Sequence, residues 1–243
     1  HARTTYIPTL IEETRDADAM ILANMPMPAA VLEACEKLQF VDIAFTGVDH
    51  VDVEYCRAHG HKPNVSASEW KQVERDLELV KETGVKYHIC HVSTKETVEL
   101  VRKAKAEGLD ITCETGPHYL LLDENDLQED GKFKMTPPLR AEADRDALIE
   151  GIIDGTIDMI ATDHAPHAKH EKENTFDKSA MGVTGIETAF SMMYTHFVLK
   201  DVLPLNKLID LMAYAPRERF GFEKNEIAPG KKADFTVFEP EIT

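Results

Sequence analysis

The order of apolar and polar positions along the chain is regular from residue 66 onward. Apolar runs of strand length alternate with segments whose apolar residues recur at helical spacing. Strands are predicted over residues 85–92, 109–114 and 156–162, and helices over residues 70–83, 95–106, 142–151, 185–200 and 205–214. Strands that alternate with helices form right-handed parallel βαβ units. The pattern therefore predicts an α/β fold, either a (β/α)8 barrel or a doubly wound sheet.

The first 65 residues have a less regular pattern. Helix-like spacing occurs over residues 7–15 and 28–38, and short buried strands are predicted over residues 19–24 and 41–46. A short helix is predicted over residues 53–60. The loops that follow the two strands are unusually short.

Polar side chains follow three of the predicted strands directly. The strand at 156–162 runs into Asp163, His91 lies near the carboxyl end of the strand at 85–92, and His118 follows the strand at 109–114. In a parallel barrel the carboxyl ends of the strands meet at one mouth, where catalytic groups collect. This clustering favours the barrel. His88 lies three residues before His91 and so faces the other side of its strand, which predicts a structural role.

An imidazole and a carboxylate from separate strand ends suit zinc with an open coordination position. Zinc lowers the pKa of a bound water to about 7 and so produces a hydroxide nucleophile. The sequence therefore predicts His91 and Asp163 as metal ligands. Asp163 could also take and return a proton as a general acid and base.

Three further segments are candidates for the same mouth. His118 either lines it or bonds to the backbone. The loop at 136–140 is stiffened by two prolines and could present backbone groups to a substrate, while Arg140 is predicted to form a structural ion pair. Met181 to Gly185 is predicted to open a helix, whose free N–H groups suit a carboxylate or carbonyl oxygen.

Composition and charge narrow the class of protein. The 243 residues carry a net charge of −17, which argues against nucleic acid or an acidic membrane surface as a partner. The four cysteines show no C-x-x-C spacing, so free thiols in a reducing compartment are expected. No apolar run has membrane-spanning length and no signal-peptide pattern occurs, so the expected location is the cytoplasm.

Six segments between residues 91 and 238 carry longer motifs. They read H-V-S-T-K at 91–95, P-H-Y-L-L-L at 117–122, K-M-x-P-P-L-R at 134–140, D-G-T-I-D-x-I-A-T-D-H-A-P-H at 154–167, M-G-x-x-G-x-E-T-A-F at 181–190 and P-G-K-K-A-D-F-T-V-F at 229–238. Together they resemble the dihydroorotase family, in its monofunctional bacterial (class I) form, within the amidohydrolase superfamily. The resemblance is continuous over residues 66–243.

This resemblance implies an activity and an architecture. The family interconverts N-carbamoyl-L-aspartate and L-dihydroorotate, the ring-closing step of pyrimidine synthesis. It uses a pair of zinc ions on a (β/α)8 barrel, beside a small β-sandwich built from both chain ends. Residues 1–222 are accordingly assigned to the barrel and residues 223–243 to the start of the β-sandwich. We expect a small-molecule substrate and a homodimer.

The resemblance also implies roles for residues in the second half of the chain. By position, His91 resembles the ligand of the second metal, and Asp163 resembles the metal ligand and general acid/base of the eighth strand. His167 resembles a histidine that contacts the substrate. Met181 and Gly182 match the pair whose backbone meets the pyrimidine ring.

The first residues match the family only in part. His1-Ala2-Arg3 resembles the second half of the family motif H-x-H-x-R, which makes His1 a predicted metal ligand and Arg3 a predicted substrate contact. Asn24 weakly resembles the substrate-binding asparagine. Thr136 is carried over as a substrate-binding position, although the family usually has asparagine there.

Three metal ligands of the family have no counterpart in the sequence, and one of them is the first histidine of the motif H-x-H-x-R. Gly47 stands where a metal-bridging aspartate is expected, and the fifth-strand histidine expected shortly after Pro63 does not occur. His59 and His61 fall at a helix end and are predicted to be structural. Because each missing ligand coincides with a loop that is too short, we expect that residues 1–65 join discontinuous segments, with loops and sandwich parts left out.

Three functions stay open at this point. Dihydroorotase is the first. A related cyclic-amide hydrolase, such as a dihydropyrimidinase, hydantoinase or allantoinase, is the second, because Thr136 replaces the asparagine that usually precedes the two prolines. The third is a metal-free homologue that acts as a scaffold for another pyrimidine enzyme, since a metal pair needs more than two protein ligands.

Overall fold

The fold contains two three-stranded parallel sheets. The computed structural model describes residues 7–16, 19–22, 27–37, 40–43, 62–63, 67–223, 227–232 and 236–240. The first sheet has the order β1-β2-β3, formed by Ala19–Leu22, Phe40–Ile43 and Lys62–Pro63. The second has the order β4-β5-β6, formed by Tyr87–Ile89, Ile111–Thr115 and Met159–Ile160. All four strand pairings are parallel.

Helices alternate with these strands along the chain. The α-helices are α1 (Ile7–Thr14), α2 (Ala29–Glu33), α3 (Ala67–Thr83), α4 (Lys95–Ala106), α5 (Pro117–Leu121), α6 (Glu142–Asp154), α7 (Lys169–Lys172), α8 (Ala189–Met193), α9 (Leu205–Ile209) and α10 (Ala215–Phe220). Short 3-10 turns occupy Glu124–Asp126, Gly131–Phe133 and Phe176–Lys178, and π-helical turns occupy Tyr194–Val198 and Asp210–Tyr214. This alternation of parallel strands and helices is that of the predicted (β/α)8 barrel class.

The core lies where the helices pack against the second sheet. Val98 and Val101 are three residues apart on α4, and Leu148 and Ile152 are four residues apart on α6; each is at most 1 % exposed. Helical spacing places each pair on one face of its helix, so the two helices meet through apolar stripes. Burying one such side chain contributes about 1.5–3 kcal/mol.

Most elements lie where the periodicity predicts them, but several predictions are wrong in their bounds. The strand predicted over 156–162 is paired only over Met159–Ile160, and the helix predicted over 28–38 covers only Ala29–Glu33. The helix predicted from residue 70 begins at Ala67, three residues earlier. The strand predicted over 85–92 is paired only over Tyr87–Ile89. The helix predicted over 185–200 begins only at Ala189 and continues as a π-helical turn.

The structure also contains a helix that the sequence pattern did not predict. Helix α5 (Pro117–Leu121) begins two residues after the last residue of β5, with Gly116 as its N-cap. Proline is tolerated in the first turn of a helix, because the N–H that it lacks has no helical partner there.

A turn lies near the described end of the chain. Lys231 N–H donates to the carbonyl of Ala228 at 3.1 Å. Phe238 packs edge-on against the rings of Phe190 and Tyr194, at centroid distances of 5.0 and 5.5 Å. The assignment of 223–243 to a β-sandwich stays a prediction, as does the barrel boundary at 222.

The structure shows the state of three cysteines and the character of the described helices. Cys35, Cys90 and Cys113 are free thiols, as predicted; Cys56 lies outside the described residues. Among the described helices, none combines the length and the apolar character needed to cross a bilayer.

A carboxylate on α3 holds the start of α4. Glu69 is 9 % exposed and accepts hydrogen bonds from the backbone N–H groups of Ser93 and Thr94, at 3.0 and 3.1 Å. The hydroxyls of Ser93, Thr94 and Thr97 donate to it as well. The Arg140 guanidinium lies 3.8 Å from the same carboxylate. One acidic side chain therefore connects α3, the segment after His91 and the loop at 136–140.

We expect Glu69→Ala to destabilise the fold strongly. The change leaves buried hydroxyls, two N–H groups and the Arg140 charge without their acceptor, a loss of about 3–5 kcal/mol. Urea unfolding measures it. The matched control is Glu74→Ala on the same helix, whose carboxylate is 50 % exposed and paired with Lys71; it should cost at most about 1 kcal/mol. Equal losses in the two variants would contradict the role of Glu69.

Candidate active site at the strand ends

The carboxyl ends of β4, β5 and β6 lie side by side because the three strands are parallel neighbours. We call this the carboxyl edge. The Thr115 hydroxyl donates to the carbonyl of Val92 at 2.8 Å, and the N–H of Ala161 donates to the carbonyl of Thr115 at 3.0 Å. These bonds tie together the chain just after His91 and the chain just before Asp163.

A one-residue bulge places His91 at this edge. The N–H of Tyr87 donates to the carbonyl of Asp110, and the N–H of Val92 donates to the carbonyl of Glu114. Between these two hydrogen bonds the chain advances five residues on the side of His91 but only four residues on the side of β5. One residue is therefore left unpaired, and it lies next to His91. A bulge redirects a side chain and is frequent beside active sites.

Both predicted metal ligands have left-handed backbone conformations. The φ angle of His91 is 41° and that of Asp163 is 45°. Such angles are uncommon outside glycine, although histidine and aspartate adopt them more readily than most residues. Strain of this kind concentrates at functional sites. The chain thus leaves both strands abruptly at the two residues chosen from the sequence.

The charge of Asp163 contributes to the pKa shifts of two nearby residues, Cys90 and Tyr119. Burial raises the pKa of the Cys90 thiol, and the nearby charges of Glu114 and Asp163 raise it further. Burial also raises the pKa of Tyr119 well above its usual value, and Asp163 is the largest charge contribution. Asp163 therefore lies near residues of β4 and α5.

His118 lies at the same edge and is half-buried. Its Nε2 atom has no hydrogen-bond partner among the described residues. Burial lowers the pKa of His118 to about 4, and the charge of His91 contributes to the shift. The ring borders a cavity of about 200 Å³, together with Phe133, Met135, Thr162 and Val183. Of the two roles left open for His118, lining the mouth fits this position.

The predicted substrate residues form a second cluster. The Thr136 hydroxyl donates to Met181 Sδ at 2.8 Å. His167 Nε2 lies 2.8 Å from the carbonyl oxygen of Met181. Gly182 has a φ of 135°, and a Cβ there would lie 2.5 Å from the carbonyl oxygen of Ala165, so the position requires glycine. The structure thus brings Thr136, His167, Met181 and Gly182 together, around residues 179–183, which we call the 181 loop.

The prediction of free helical N–H groups at Met181 to Gly185 is wrong at its end. The N–H groups of Gly185 and Ile186 both donate to His164 Nδ1, at 3.1 and 3.2 Å. They are therefore unavailable to a substrate. Nδ1 acts as an acceptor, so the proton of the neutral ring lies on Nε2. No local signal distinguishes this role of His164 from that of a ligand, because the two segments meet only in the tertiary structure.

His88 and Arg140 have the structural roles predicted for them. The two ring nitrogens of His88 lie 2.8 Å from the Thr112 hydroxyl and 3.2 Å from the Glu114 carboxylate. Arg140 lies beside Glu69 and donates to the Ser93 hydroxyl at 3.1 Å. Neither side chain is therefore assigned to a substrate.

A group with metal-ligand character occurs inside the sheet and was not predicted. The candidate ligand atoms of His88, Cys90 and Glu114 all lie within 4.8 Å of one another. The spacing follows from register, since His88 and Cys90 share one face of the strand and Ile89 pairs with Cys113, which brings Glu114 opposite Cys90. Both nitrogens of His88 already contact oxygen atoms, so the arrangement needs no ion.

Several predicted residues lie outside the described part of the chain. They are the metal ligand His1, the substrate residues Arg3 and Asn24, and the positions of the expected bridging aspartate and fifth-strand histidine. Their roles stay predictions, as does the idea that residues 1–65 join discontinuous segments.

The chain is similar in sequence to one family and to several curated proteins. The model of the amidohydrolase family matches residues 10–243. A dihydroorotase from Lactobacillus leichmannii is 52 % identical over 226 residues, which are 93 % of this chain and 53 % of that protein. A dihydroorotase from Enterococcus faecalis is 44 % identical over 224 residues, 92 % of this chain and 52 % of the relative. The chain thus spans about half the length of these curated relatives.

Solved structures share the fold. An L-hydantoinase (dihydropyrimidinase) from Arthrobacter aurescens matches with a TM-score of 0.63 and 26 % identity, over 88 % of this chain and 54 % of that one. A dihydropyrimidinase from Brevibacillus agri matches with a TM-score of 0.67 and 22 % identity, over 96 % of this chain and 57 % of that one.

The titration of His118 leads to a prediction about stability. Burial lowers its pKa in the fold to about 4, against an ordinary pKa of 6.5 for histidine, so the unfolded chain takes up the proton first as the pH falls. The stabilisation from neutral His118 is complete above pH 6.5 and is lost between pH 6.5 and pH 4. From pH 7 to pH 5 the wild type should lose about 1–2 kcal/mol more than His118→Gln. Urea unfolding at both values measures the difference; parallel losses would contradict it.

Proposed function

The chain belongs to the amidohydrolase family, and from this premise we propose that the protein is a dihydroorotase acting in pyrimidine synthesis. It would interconvert N-carbamoyl-L-aspartate and L-dihydroorotate. The observation that carries the proposal is the carboxyl edge, where an imidazole and a carboxylate follow two parallel strands that flank a third. The identity of 52 % with a protein named dihydroorotase supports the choice within the family.

Asp163 is proposed to move the proton in this reaction. Ring opening adds water to an amide carbonyl and breaks the bond to the ring nitrogen. A carboxylate can accept the proton of the attacking water and return it to the leaving nitrogen, and the reverse sequence applies to ring closure. Asp163 is exposed and follows a buried strand, so its carboxylate can meet a substrate while its backbone stays fixed.

Family membership implies dependence on a metal, and the residues at the carboxyl edge suit zinc. Imidazole and carboxylate are zinc ligands, and His91 and Asp163 would hold the ion. When bound, zinc lowers the pKa of water to about 7 and so makes a hydroxide available near neutral pH. We propose two zinc ions per subunit, with His1 as a further ligand.

The 181 loop is proposed to bind the substrate. A cyclic ureide offers carbonyl oxygens and ring N–H groups, which backbone groups can recognise. The Met181 N–H and the second lone pairs of the Met181 and Gly182 carbonyl oxygens can supply such groups, whereas the Gly182 N–H already donates to Lys134. His167 and Thr136 contact Met181. Arg3 and Asn24 are proposed to complete the substrate site. A homodimer in the cytoplasm remains part of the proposal.

Replacing Asp163 tests the catalytic role. Asp163→Asn keeps the size of the side chain and removes its ability to accept a proton, so turnover of dihydroorotate should fall by about 10²–10⁴-fold. The unfolding transition should not change. Asp146→Asn, at an exposed position of α6, serves as the control and should keep full activity. Retention of more than about a tenth of the turnover by Asp163→Asn would contradict the role.

Replacing His167 tests the substrate site. His167→Ala should raise KM for dihydroorotate by about tenfold and change kcat less, because the residue is proposed to bind rather than to transfer protons. The control is His170→Ala, which removes an exposed histidine of α7. An unchanged KM in His167→Ala would remove His167 from the substrate site.

Substrate profiling and metal analysis separate the alternatives. Rates on dihydroorotate, hydantoin and allantoin distinguish a dihydroorotase from its cyclic-amide relatives, and turnover of hydantoin or allantoin alone would reject the proposal. Elemental analysis of the purified protein distinguishes both enzymes from a metal-free scaffold. Absence of zinc together with absence of turnover would favour the scaffold.

A further inference from the structure

Lys172, the last residue of α7, directs its ammonium group into the backbone of two loops. It donates to the carbonyl oxygens of Lys134, Ala180 and Gly182, at 3.1, 2.8 and 3.0 Å. An ammonium group has three N–H donors, so these three acceptors account for all of them. The ammonium group therefore uses its N–H donors for hydrogen bonds to backbone carbonyl oxygens rather than to solvent.

Two of these acceptors flank Met181. Lys172 holds the carbonyl oxygen of Ala180 on one side of Met181 and that of Gly182 on the other. A trans peptide group is planar, with its N–H pointing opposite to its C=O. Fixing the carbonyl of Ala180 therefore fixes the direction of the Met181 N–H. Fixing the carbonyl of Gly182 fixes the Val183 N–H in the same way.

The other groups of the 181 loop are held from the same side. The N–H of Ala180 donates to the carbonyl of Glu171 on α7 at 3.1 Å, and the N–H of Gly182 donates to the carbonyl of Lys134 at 3.0 Å. The carbonyl oxygen of Lys134 thus receives both Lys172 and Gly182. Lys172 contributes an ammonium group at the point where α7, the 181 loop and the segment before Thr136 converge.

We infer that Lys172 is a positioning residue for substrate binding, whose ammonium group orients the peptide groups on either side of Met181 and Gly182. This inference rests on the proposed function, in which the backbone of Met181 and Gly182 meets the substrate. Lys172 itself contacts backbone carbonyls and does not reach the substrate in this role. Its loss leaves the proton-transfer residue in place and disturbs the surface that recognises the ring.

The test compares Lys172→Met with the wild type. Methionine keeps much of the length and removes all three donors, so KM for dihydroorotate should rise by about tenfold or more while kcat changes by less than about threefold. Zinc content should be unchanged, because the carboxyl edge is not touched. Lys172→Arg restores donors and charge, so its KM should lie between those of the wild type and Lys172→Met.

Lys169→Met is the matched control. Lys169 lies on the same helix, its side chain is 82 % exposed and it pairs with Glu173 at 3.3 Å. It should keep the KM and kcat of the wild type. Should Lys172→Met fail to fold, as judged by its unfolding transition, Lys172→Gln provides the same comparison, since an amide cannot satisfy three separate carbonyls.

The outcomes distinguish this inference from the proposed function. A wild-type protein that does not turn over dihydroorotate rejects the proposed function. A wild type that does so, with an unchanged KM in the folded Lys172 variants, overturns the role of Lys172 and leaves the function intact. A fall in kcat with an unchanged KM, or a loss of zinc, also overturns it, because either would indicate a general structural role.

Discussion

The parallel pairing of β4, β5 and β6 is the constraint on which the candidate site depends. Parallel strands end at the same edge of a sheet, so residues far apart in sequence become neighbours once the pairing is set. His91 and Asp163 are separated by 72 positions in the sequence and flank the end of a single strand. A shift of register by one residue would move every side chain of the strand to the opposite face. The bulge beside His91 changes the register locally, at the point where the chain leaves the sheet.

Two charged side chains of opposite sign secure the loops around this edge. The Glu69 carboxylate gathers hydroxyl and N–H donors at the start of α4, and the Lys172 ammonium gathers carbonyl acceptors around the 181 loop. A charge removed from water is tolerated only when hydrogen bonds replace its solvation. Each charge therefore favours one arrangement of the surrounding backbone. Loops that are held in this way can present a site without belonging to a helix or a strand.

The arrangement of the carboxyl edge and the 181 loop is consistent with an amidohydrolase. The carboxyl edge holds an imidazole and a carboxylate, which are groups suited to a metal and to proton transfer, while the 181 loop is the region that we propose binds the substrate. The two regions meet through the segment from Asp163 to His167, which pairs with Val183 by an isolated bridge at His164. Five consecutive residues thus connect the carboxyl edge, which holds the proposed proton-transfer residue, to the 181 loop, which is proposed to bind the substrate. This chain spans about half the length of the curated relatives that it matches.

The sequence alone determined the features that depend on interactions between residues close together in the chain, namely the helices, the strands and the residues at the strand ends. Helical periodicity predicted α4 and most of α6, and β-branched runs that end in polar residues predicted the strands and the positions of His91 and Asp163. Contacts between distant segments were decided by the tertiary structure alone. The acceptor role of His164 towards Gly185 and the three backbone acceptors of Lys172 have no local signal, because each needs two segments to meet. Periodicity reports which side of an element is buried, whereas a hydrogen-bond partner depends on where the chain returns.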